Sequence, residues 1–310
     1  MQYVLGVDSG GSKFLIKAAD LEGQVIAVYE GAPAGFRFDS LEQGIHDVNE
    51  NIRHCLAQFD GRRENCAAMV CGSTGIDSDR DYMRIKEVYE NLGGFNCPVQ
   101  CVNDAEVALH AATGGVGAIV IAGTGSVAFG RNSRDETSRS GGWWFSMGAD
   151  EGSGTFISLR ALQHVGAFFD GLVPDNLLVE LFRDELKIAA REDLISLGRS
   201  PISRWSGLKL PKLVDQAADA KCPSALDILH EAAHHTFSLG NSVVTKLRLF
   251  DEENFRIGAW GSAIARSPIH FRFFKEKFEQ EYNDVDVILP DQDAASGAVG
   301  MAQKLHESAI

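Results

Sequence analysis

The chain has 310 residues, of which 45% are hydrophobic and 23% are charged, with 32 glycines and 8 prolines. This composition is typical of a soluble globular α/β protein, and the length favours two domains over one. A formal net charge of −14 argues against nucleic acid or an anionic membrane surface as the main partner, and no apolar run is long enough to span a bilayer.

The N-terminal residues and the cysteines indicate the cellular compartment. The first residues lack a basic segment and a long apolar run, so we expect no signal peptide. The six cysteines show no zinc-knuckle spacing. We therefore expect reduced, mostly buried thiols in a cytoplasmic protein.

The first half of the chain predicts a three-stranded meander followed by helices and two further strands. Strand-like runs occupy Tyr3–Asp8, Lys13–Ala19 and Val25–Glu30, with short polar or glycine-containing turns between them. Apolar residues at helical spacing predict a helix over Ser40–Phe59. The rest of this half predicts a strand over Cys66–Cys71, a helix over Asp79–Leu92, a strand over Val99–Val102 and a helix that begins near Asp104.

The second half of the chain repeats this order of elements. It predicts strands over Ala118–Ala122, Val127–Arg131, Thr137–Trp144, Phe255–Ala259 and Val285–Leu289, with helices over about 150–168, Ile269–Tyr282 and Ala294–Lys304 and a mostly helical insertion over 175–250. Two halves of the form βββαβα, each opening with a glycine-rich hairpin, indicate a duplicated fold. Because ligands of open α/β sheets bind in such crevices, we expect the ligands in a cleft between the two halves.

The turn after the first strand, in the segment GVDSGGSK (6–13), is a candidate phosphate site. It is not a Walker A loop, because Ser12 and Lys13 stand in reversed order and the turn leads into a strand instead of a helix. Gly10 and Gly11 carry no Cβ, so backbone N–H groups there can approach phosphate oxygens closely. Asp8 at the strand end can hold Mg²⁺ through water. On this segment alone, an ordinary hairpin turn is an equal alternative.

A second glycine-rich turn favours the phosphate hypothesis. The segment IVIAGTGSVAFG (119–130) again combines a strand, a Gly-x-Gly-Ser turn and a strand, at the same place in the second half. Between the two turns, Asp104 lies where a strand ends and a helix begins, so we expect its carboxylate to face the cleft. The alternative role for Asp104 is the N-cap of that helix, and the two roles are compatible.

Six segments resemble one known superfamily in the same order along the chain. They are Asp8–Lys13, Asn103-Asp104-Ala105, Gly123–Ser126, GGWWFSMGADEGSG (141–154), IGAWGSAIARSP (257–268) and DAASGAVGMAQKL (293–305). The set resembles the actin, sugar-kinase and heat-shock-protein ATPase superfamily, and specifically its N-acetylglucosamine kinase branch. The resemblance implies α/β architecture with two ribonuclease H-like (actin-like ATPase) domains, each a five-stranded mixed sheet flanked by helices. The implied domains comprise residues 1–113 with 293–310, and residues 114–292, with the active site between them.

The same resemblance implies ATP- and Mg²⁺-dependent phosphorylation of an amino sugar, with N-acetylglucosamine 6-phosphate as the favoured product. Asp104 would be the base that takes the proton from the sugar 6-hydroxyl, and Asp8 would hold Mg²⁺ through water. The implied ATP-binding residues are Asp8, Gly10, Gly11, Ser12, Lys13, Gly123, Thr124, Gly125, Ser126, Gly261 and Ser262, the last two beside the adenosine. The implied sugar contacts are Ser73, Asn103, Asp104, Thr124, Gly142, Trp143 and Asp150. A homodimer is the expected assembly.

The chain departs from the usual pattern of this branch on the sugar side. Trp144 replaces a glycine, and Ala149 is inserted before Asp150. Ala34 and Gly35 stand where relatives place a Ser or Thr followed by an Asn that contacts the sugar. A kinase of glucosamine or of an N-acetylmuramic-type sugar therefore stays open as an alternative, and so does a nucleotide-driven conformational ATPase. The iron–sulfur ATPases of the same superfamily place cysteines beside the second phosphate motif, where this chain has none.

One further motif points to a different class of enzyme. The segment HEAAHH (230–235) matches the zinc-protease pattern HExxH, in which His230 and His234 would share one helix face and Glu231 would act as the base. A helix with surface histidines explains the same residues, and no third ligand follows at a standard spacing. A zinc hydrolase is therefore the least favoured alternative.

Overall fold

The computed structural model describes residues 1–11, 13–34, 39–143, 145–147, 149–200 and 209–309. Contacts between residues divide the chain into two compact units, Met1–Val116 with Pro290–Ile310, and Gly117–Leu289. Each unit contains one sheet and its own buried apolar core.

The two sheets have the same topology. The strands are β1 Tyr3–Ser9, β2 Phe14–Ala19, β3 Val25–Gly31, β4 Cys66–Ser73, β5 Val99–Asn103, β6 Gly117–Ala122, β7 Ser126–Arg131, β8 Thr137–Gly141, β9 Arg256–Trp260 and β10 Asp286–Ile288. Their orders are β3-β2-β1-β4-β5 and β8-β7-β6-β9-β10. In each sheet the meander is antiparallel and the last two strands join in parallel. The predicted pair of five-stranded mixed sheets is confirmed.

Helices cover the sheets and form the insertion. They are α1 Leu41–Leu56, α2 Asp79–Glu90, α3 Asp104–Thr113, α4 Gly154–Phe169, α5 Leu177–Leu186, α6 Arg191–Gly198, α7 Leu210–Asp219, α8 Pro223–Leu247, α9 Ser262–Ala265, α10 Pro268–Glu281 and α11 Ala294–Ser308. Most of the longer ones begin after a Ser, Asn or Asp whose side chain accepts a hydrogen bond from the first turn, which satisfies a backbone donor that the helix leaves unpaired.

One predicted strand is too long. The extended run that begins at Thr137 ends at Gly141 and does not reach Trp144, which lies outside the described residues. Gly141 and Gly142 have φ angles of 83° and 75°, in the left-handed region that strands do not use. These left-handed conformations therefore end the strand at Gly141.

The expectation of mostly buried thiols is confirmed. Of the six free thiols, Cys97 is half-buried and the other five are buried. Among the described residues, no helix is both long enough and apolar enough to cross a bilayer.

Glycines allow the C-terminal helix to pack directly on the first sheet and on α3. A Cβ added at Gly6 of β1 would lie 2.5 Å from the Ala295 carbonyl oxygen of α11. A Cβ added at Gly297 of α11 would lie 2.7 Å from the backbone nitrogen of Ala111 in α3. Both neighbours are backbone atoms, which cannot move aside as a flexible side chain can. The fifteen-residue helix α11 is therefore an integral part of the first unit.

We expect Gly297→Ala to destabilise the first unit by about 1–3 kcal/mol, because the added methyl group forces α11 away from α3. Thermal or urea denaturation followed by circular dichroism measures this change. Gly166→Ala is the matched control, since Gly166 is also inside a helix but its added Cβ would meet only Leu194 Cδ2 at 3.7 Å. The control should leave stability unchanged or raise it by up to about 1 kcal/mol. Equal effects of the two substitutions would contradict the close packing of α11.

Candidate active site

Three parallel strands of the first sheet end side by side. Ser9 of β1 pairs with Ser73 of β4, and Ser73 pairs with Asn103 of β5. The residues at these carboxyl ends therefore lie along one edge of the sheet, which is where α/β sheets bind their ligands. Asp8 and Asp104, from different parts of the sequence, belong to this edge.

The first glycine-rich turn is a tight hairpin between β1 and β2. The Gly10 N–H donates to the Lys13 carbonyl oxygen at 3.0 Å. The Ser9 hydroxyl is buried and donates to the carbonyl oxygen of Ala34, which attaches the loop after β3 to the base of the hairpin. Lys13 forms an exposed ion pair with Glu30 at 3.2 Å. Ser12, predicted to contact phosphate, lies outside the described residues, as does Gly35.

Asp8 experiences an unfavourable environment for a negative charge. Burial and, to a smaller extent, the nearby carboxylate of Asp104 together raise the pKa of Asp8 to about 7, against a smaller opposing effect of Lys13. Asp293 adds to the negative field, although Lys17 neutralises that carboxylate at 2.8 Å. A divalent cation would compensate these carboxylates, and carboxylate oxygen is a ligand type that Mg²⁺ prefers. Asp8 therefore fits a Mg²⁺ ion that would take most of its other ligands from water and phosphate, since the described residues contain no group of three His, Cys, Asp or Glu side chains that could hold a metal ion by themselves.

Asn103 caps the helix that follows β5. Its side-chain oxygen accepts from the Ala105 N–H at 3.0 Å, and its side-chain nitrogen donates to the Ile76 carbonyl oxygen at 2.9 Å. The helix α3 begins at Asp104, one residue later. The alternative in which Asp104 is the N-cap is therefore wrong, because Asn103 already occupies the cap position.

The carboxylate of Asp104 accepts a hydrogen bond from a residue that the sequence motifs did not identify. The Thr74 hydroxyl donates to Asp104 Oδ2 at 2.5 Å, and the Thr74 N–H donates to the Ser9 carbonyl oxygen at 3.0 Å. Ser73, a predicted sugar contact, is fully buried within the described structure and donates to the Thr74 carbonyl oxygen at 3.0 Å. The only sequence signal for Thr74 was its position, directly after the middle parallel strand.

The second glycine-rich turn lies on the N-terminal end of α4. The Gly123 N–H donates to the Gly125 carbonyl oxygen at 2.9 Å, which closes the turn. The Gly154 N–H, in the first turn of α4, donates to the Gly123 carbonyl oxygen at 2.8 Å. One of the helix N-terminal donors therefore supports the hairpin.

Asp150 stabilises this second turn. Its backbone has a φ of 64°, in the left-handed region, and its Oδ1 accepts from the Ser126 N–H at 3.1 Å. The Ser126 hydroxyl donates to the Glu151 carbonyl oxygen at 2.7 Å, and the Ser126 carbonyl oxygen accepts from the Gly142 N–H at 2.9 Å. Ser126 thus connects segments that were predicted to bind two different ligands, ATP and sugar. The Trp143 side chain, 67% exposed, contributes little to the packing of this unit.

The predicted adenosine motif contacts the same turn through backbone atoms. β9 pairs in parallel with β6, and Ile121 aligns with Trp260. Gly261, the next residue, has a φ of 91°, and a Cβ there would lie 2.5 Å from the Ala122 carbonyl oxygen and 2.9 Å from the Gly123 nitrogen. Only glycine allows this approach. Ser262 then begins α9.

The predicted residues therefore form two clusters, one in each unit. The first cluster contains Asp8, Gly10, Gly11, Lys13, Ser73, Asn103 and Asp104, and the second contains Gly123, Thr124, Gly125, Ser126, Gly142, Trp143, Asp150, Gly261 and Ser262. Each cluster is built around a glycine-rich turn at the edge of its own sheet.

In the HExxH segment, His230 and Glu231 each contact a side chain of another helix. The ring of His230 stacks on Phe273 with centroids 3.6 Å apart, and Glu231 forms an ion pair with Arg160 at 2.8 Å. Within the described ranges, no three residues among the histidines, cysteines, aspartates and glutamates are grouped so that they could hold a metal ion. This geometry gives the zinc-hydrolase alternative no support.

Comparison with known proteins identifies relatives that extend over the whole chain. The N-acetylmuramic acid/N-acetylglucosamine kinase of Clostridium acetobutylicum is 32% identical, over 98% of this chain and 99% of the relative. The N-acetyl-D-glucosamine kinase of Dictyostelium discoideum is 28% identical, over 96% of this chain and 97% of the relative. A crystal structure of a candidate N-acetylglucosamine kinase from Chromobacterium violaceum, 23% identical, covers 99% of each chain with a TM-score of 0.74.

The structural likeness confirms the fold that the sequence resemblance implied. The BadF/BadG/BcrA/BcrD ATPase family matches residues 5–302, a span that includes both glycine-rich turns, Asp104 and Gly261. The chain therefore belongs to the BadF/BadG/BcrA/BcrD ATPase family.

Proposed function

We propose that the protein is an ATP-dependent kinase that phosphorylates the 6-hydroxyl of an N-acetylated amino sugar, with N-acetylglucosamine as the first candidate. The observation that carries the proposal is the hydrogen-bonded carboxylate of Asp104, which lies beside a glycine-rich turn at the carboxyl edge of parallel strands. Sequence similarity to two amino-sugar kinases over nearly the full length of the chain supports the choice of acceptor.

The chemistry asks mainly for positioning and for stabilisation of negative charge. Backbone N–H groups of the two turns, at Gly10–Lys13 and Gly123–Ser126, would hold the phosphates of ATP. Gly261 and Ser262 would lie beside the adenosine. The carboxylate of Asp104 would take the proton from the sugar hydroxyl as that oxygen attacks phosphorus.

Asp8 would hold Mg²⁺, which neutralises phosphate charge when it is bound. The protein would supply neighbouring carboxylates, at Asp8 and Asp104, beside which the positive charge of the ion is favourable. The pKa of Asp8, raised by burial and by the Asp104 carboxylate, supports this part of the proposal.

Two observations bear on the identity of the acceptor sugar. The usual sugar-contacting Asn is replaced at Ala34 and Gly35, and the Clostridium acetobutylicum relative is named for two different sugars. An N-acetylmuramic-type sugar is therefore the second candidate.

A coupled assay of ADP release over a panel of acceptors tests the proposed function. The panel contains N-acetylglucosamine, N-acetylmuramic acid, glucosamine, glucose and a sample without sugar. We expect ADP release to depend on an N-acetylated amino sugar, and the product to carry phosphate on O6. ADP release that is equal with and without sugar would contradict a kinase and favour a conformational ATPase.

We expect Asp104→Asn to lower kcat by about 10²–10⁴-fold, the usual contribution of a positioned general base. The amide keeps the shape of the side chain and can still accept the Thr74 hydrogen bond, but it cannot take a proton. Steady-state kinetics and equilibrium ATP binding measure the change, and the affinity for ATP should stay near that of the wild type. Near-normal turnover in a folded variant would show that the base lies elsewhere.

A pair of substitutions at Asp150 separates its charge from its structural hydrogen bond. Asn tolerates a positive φ and can accept from the Ser126 N–H, so Asp150→Asn should raise the KM for sugar and leave the KM for ATP nearly unchanged. Asp150→Ala also removes the acceptor and should raise both constants. If the Asn variant raises the two constants equally, Asp150 has no sugar-side role.

The raised pKa of Asp8 predicts a pH dependence of stability. Because the folded state favours the protonated carboxyl, the stabilisation is complete near pH 4 and is lost as the pH rises towards 7. In protein free of nucleotide and Mg²⁺, Asp8→Asn should therefore gain stability relative to the wild type between pH 5 and pH 8. Urea denaturation at both pH values measures this difference.

Asp291→Asn is the control for this pH series, since Asp291 is exposed in the same unit. Its stability difference from the wild type should stay constant across the range. A constant difference for Asp8→Asn as well would contradict the raised pKa of Asp8.

A further inference from the structure

We propose that Thr74 is a positioning residue for the catalytic carboxylate, and that its hydroxyl holds Asp104 in the orientation that receives the proton. This inference rests on the proposed kinase function. Thr74 belongs to none of the motifs that carried the family resemblance.

Three hydrogen bonds fix Thr74 itself. Its N–H donates to the Ser9 carbonyl oxygen at 3.0 Å, and its carbonyl oxygen accepts from the Ser73 hydroxyl at 3.0 Å. Its hydroxyl donates to Asp104 Oδ2 at 2.5 Å, a short distance that is typical of an O–H donor and a charged acceptor. Thr74 therefore connects the end of β1, which leads into the first phosphate turn, to the start of α3.

The turn that carries Thr74 is held against α3 at a second point. The side chain of Asn103 donates to the Ile76 carbonyl oxygen at 2.9 Å and at the same time caps α3. Gly75, between the two contact points, has a φ of 80°, which an L side chain rarely adopts. The hydroxyl of Thr74 thus belongs to a turn that is hydrogen-bonded both to β1 of the sheet and to the cap of α3.

A fixed hydroxyl has a direct consequence for a general base. A base must lie within hydrogen-bonding reach of the proton that it takes, and a displacement of about 1 Å can cost 10²-fold in rate. The Asp side chain has two rotatable bonds, and the Thr74 hydroxyl restricts both by holding one oxygen. Threonine is also stiffer at χ1 than serine, because it is β-branched. We therefore expect the effectiveness of residue 74 to fall in the order Thr, Ser, Val.

The test uses substitutions that keep or remove the hydroxyl. Thr74→Val keeps the shape and should lower kcat by about 10–100-fold, while the KM values for sugar and ATP change by less than about threefold. Thr74→Ser should recover most of the lost kcat. Thr74→Ala, which is smaller and cannot clash, is measured in parallel in case the Val side chain disturbs the fold.

The matched control is Thr113→Val. Thr113 is on α3, the helix that begins with Asp104, and its hydroxyl donates to the Leu109 carbonyl oxygen at 3.0 Å. Loss of this hydroxyl therefore affects the helix without removing a hydrogen bond from the Asp104 carboxylate. Thr113→Val should keep kcat near the wild-type value even if the thermal midpoint falls. A loss of kcat in this control as large as that in Thr74→Val would make the effect merely structural and overturn the inference.

A double-mutant cycle with Asp104→Asn gives the sharpest result. If Thr74 acts through Asp104, adding Thr74→Val to Asp104→Asn should lower kcat little further. Full additivity, an unchanged kcat in both Thr74→Val and Thr74→Ala, or a rise in the KM for sugar alone would overturn the positioning role. A wild-type protein that phosphorylates no amino sugar would overturn the proposed function and this inference together, whereas an active wild type with equally active Thr74 variants would overturn this inference only.

Discussion

The parallel pairing of β1, β4 and β5 is the constraint on which the first cluster depends. It brings the ends of three strands, from residues far apart in the chain, to one edge of the sheet. Backbone hydrogen bonds set this alignment, so no further ordering of the backbone is needed to bring these residues together, and only their side chains remain to be fixed. Asp8, Thr74 and Asp104 are neighbours because their strands are neighbours.

Glycines allow the helices of the first unit to pack closely on its sheet and on each other. Gly6 and Gly297 let α11 contact both β1 and α3 through backbone atoms, and Gly72 leaves room for Val107 of α3 over β4. The helix that carries Asp104 at its first position is thereby held against the sheet from two sides. In the second unit, Gly261 has the corresponding role, since it brings the end of β9 against the Gly123 turn.

Much of the fold was predictable because its signals are local. Alternating apolar residues and glycine-rich turns identify the two meanders, and the repetition of βββαβα identifies the duplication. The mostly helical insertion over 175–250 was predictable for the same reason, and its described part contains helices α5 to α8. The end of β8 was misjudged because apolar Trp143 and Trp144 continue the strand pattern in sequence, whereas the φ angles of Gly141 and Gly142 end it in space.

The site was less predictable because its key contacts join distant residues. Asp104 was the expected alternative cap of its helix, and only the hydrogen bond from the Ala105 N–H to the Asn103 side chain shows that Asn103 holds that position. Thr74 and Asp104 are separated by thirty residues and meet only through the register of β4 and β5. The hydrogen bond from the Ser126 N–H to Asp150 likewise occurs at a residue with a left-handed backbone conformation, which the presence of an Asp in the sequence does not predict.

The central claim is that Asp104 faces the sugar hydroxyl that receives the phosphate. A crystal structure of the full chain with N-acetylglucosamine and a non-hydrolysable ATP analogue measures this most directly. The account predicts one carboxylate oxygen of Asp104 within about 2.6–3.2 Å of the sugar 6-hydroxyl oxygen, with the Thr74 hydrogen bond retained. A sugar bound with its 6-hydroxyl beyond reach of Asp104, or with another hydroxyl there, would contradict it.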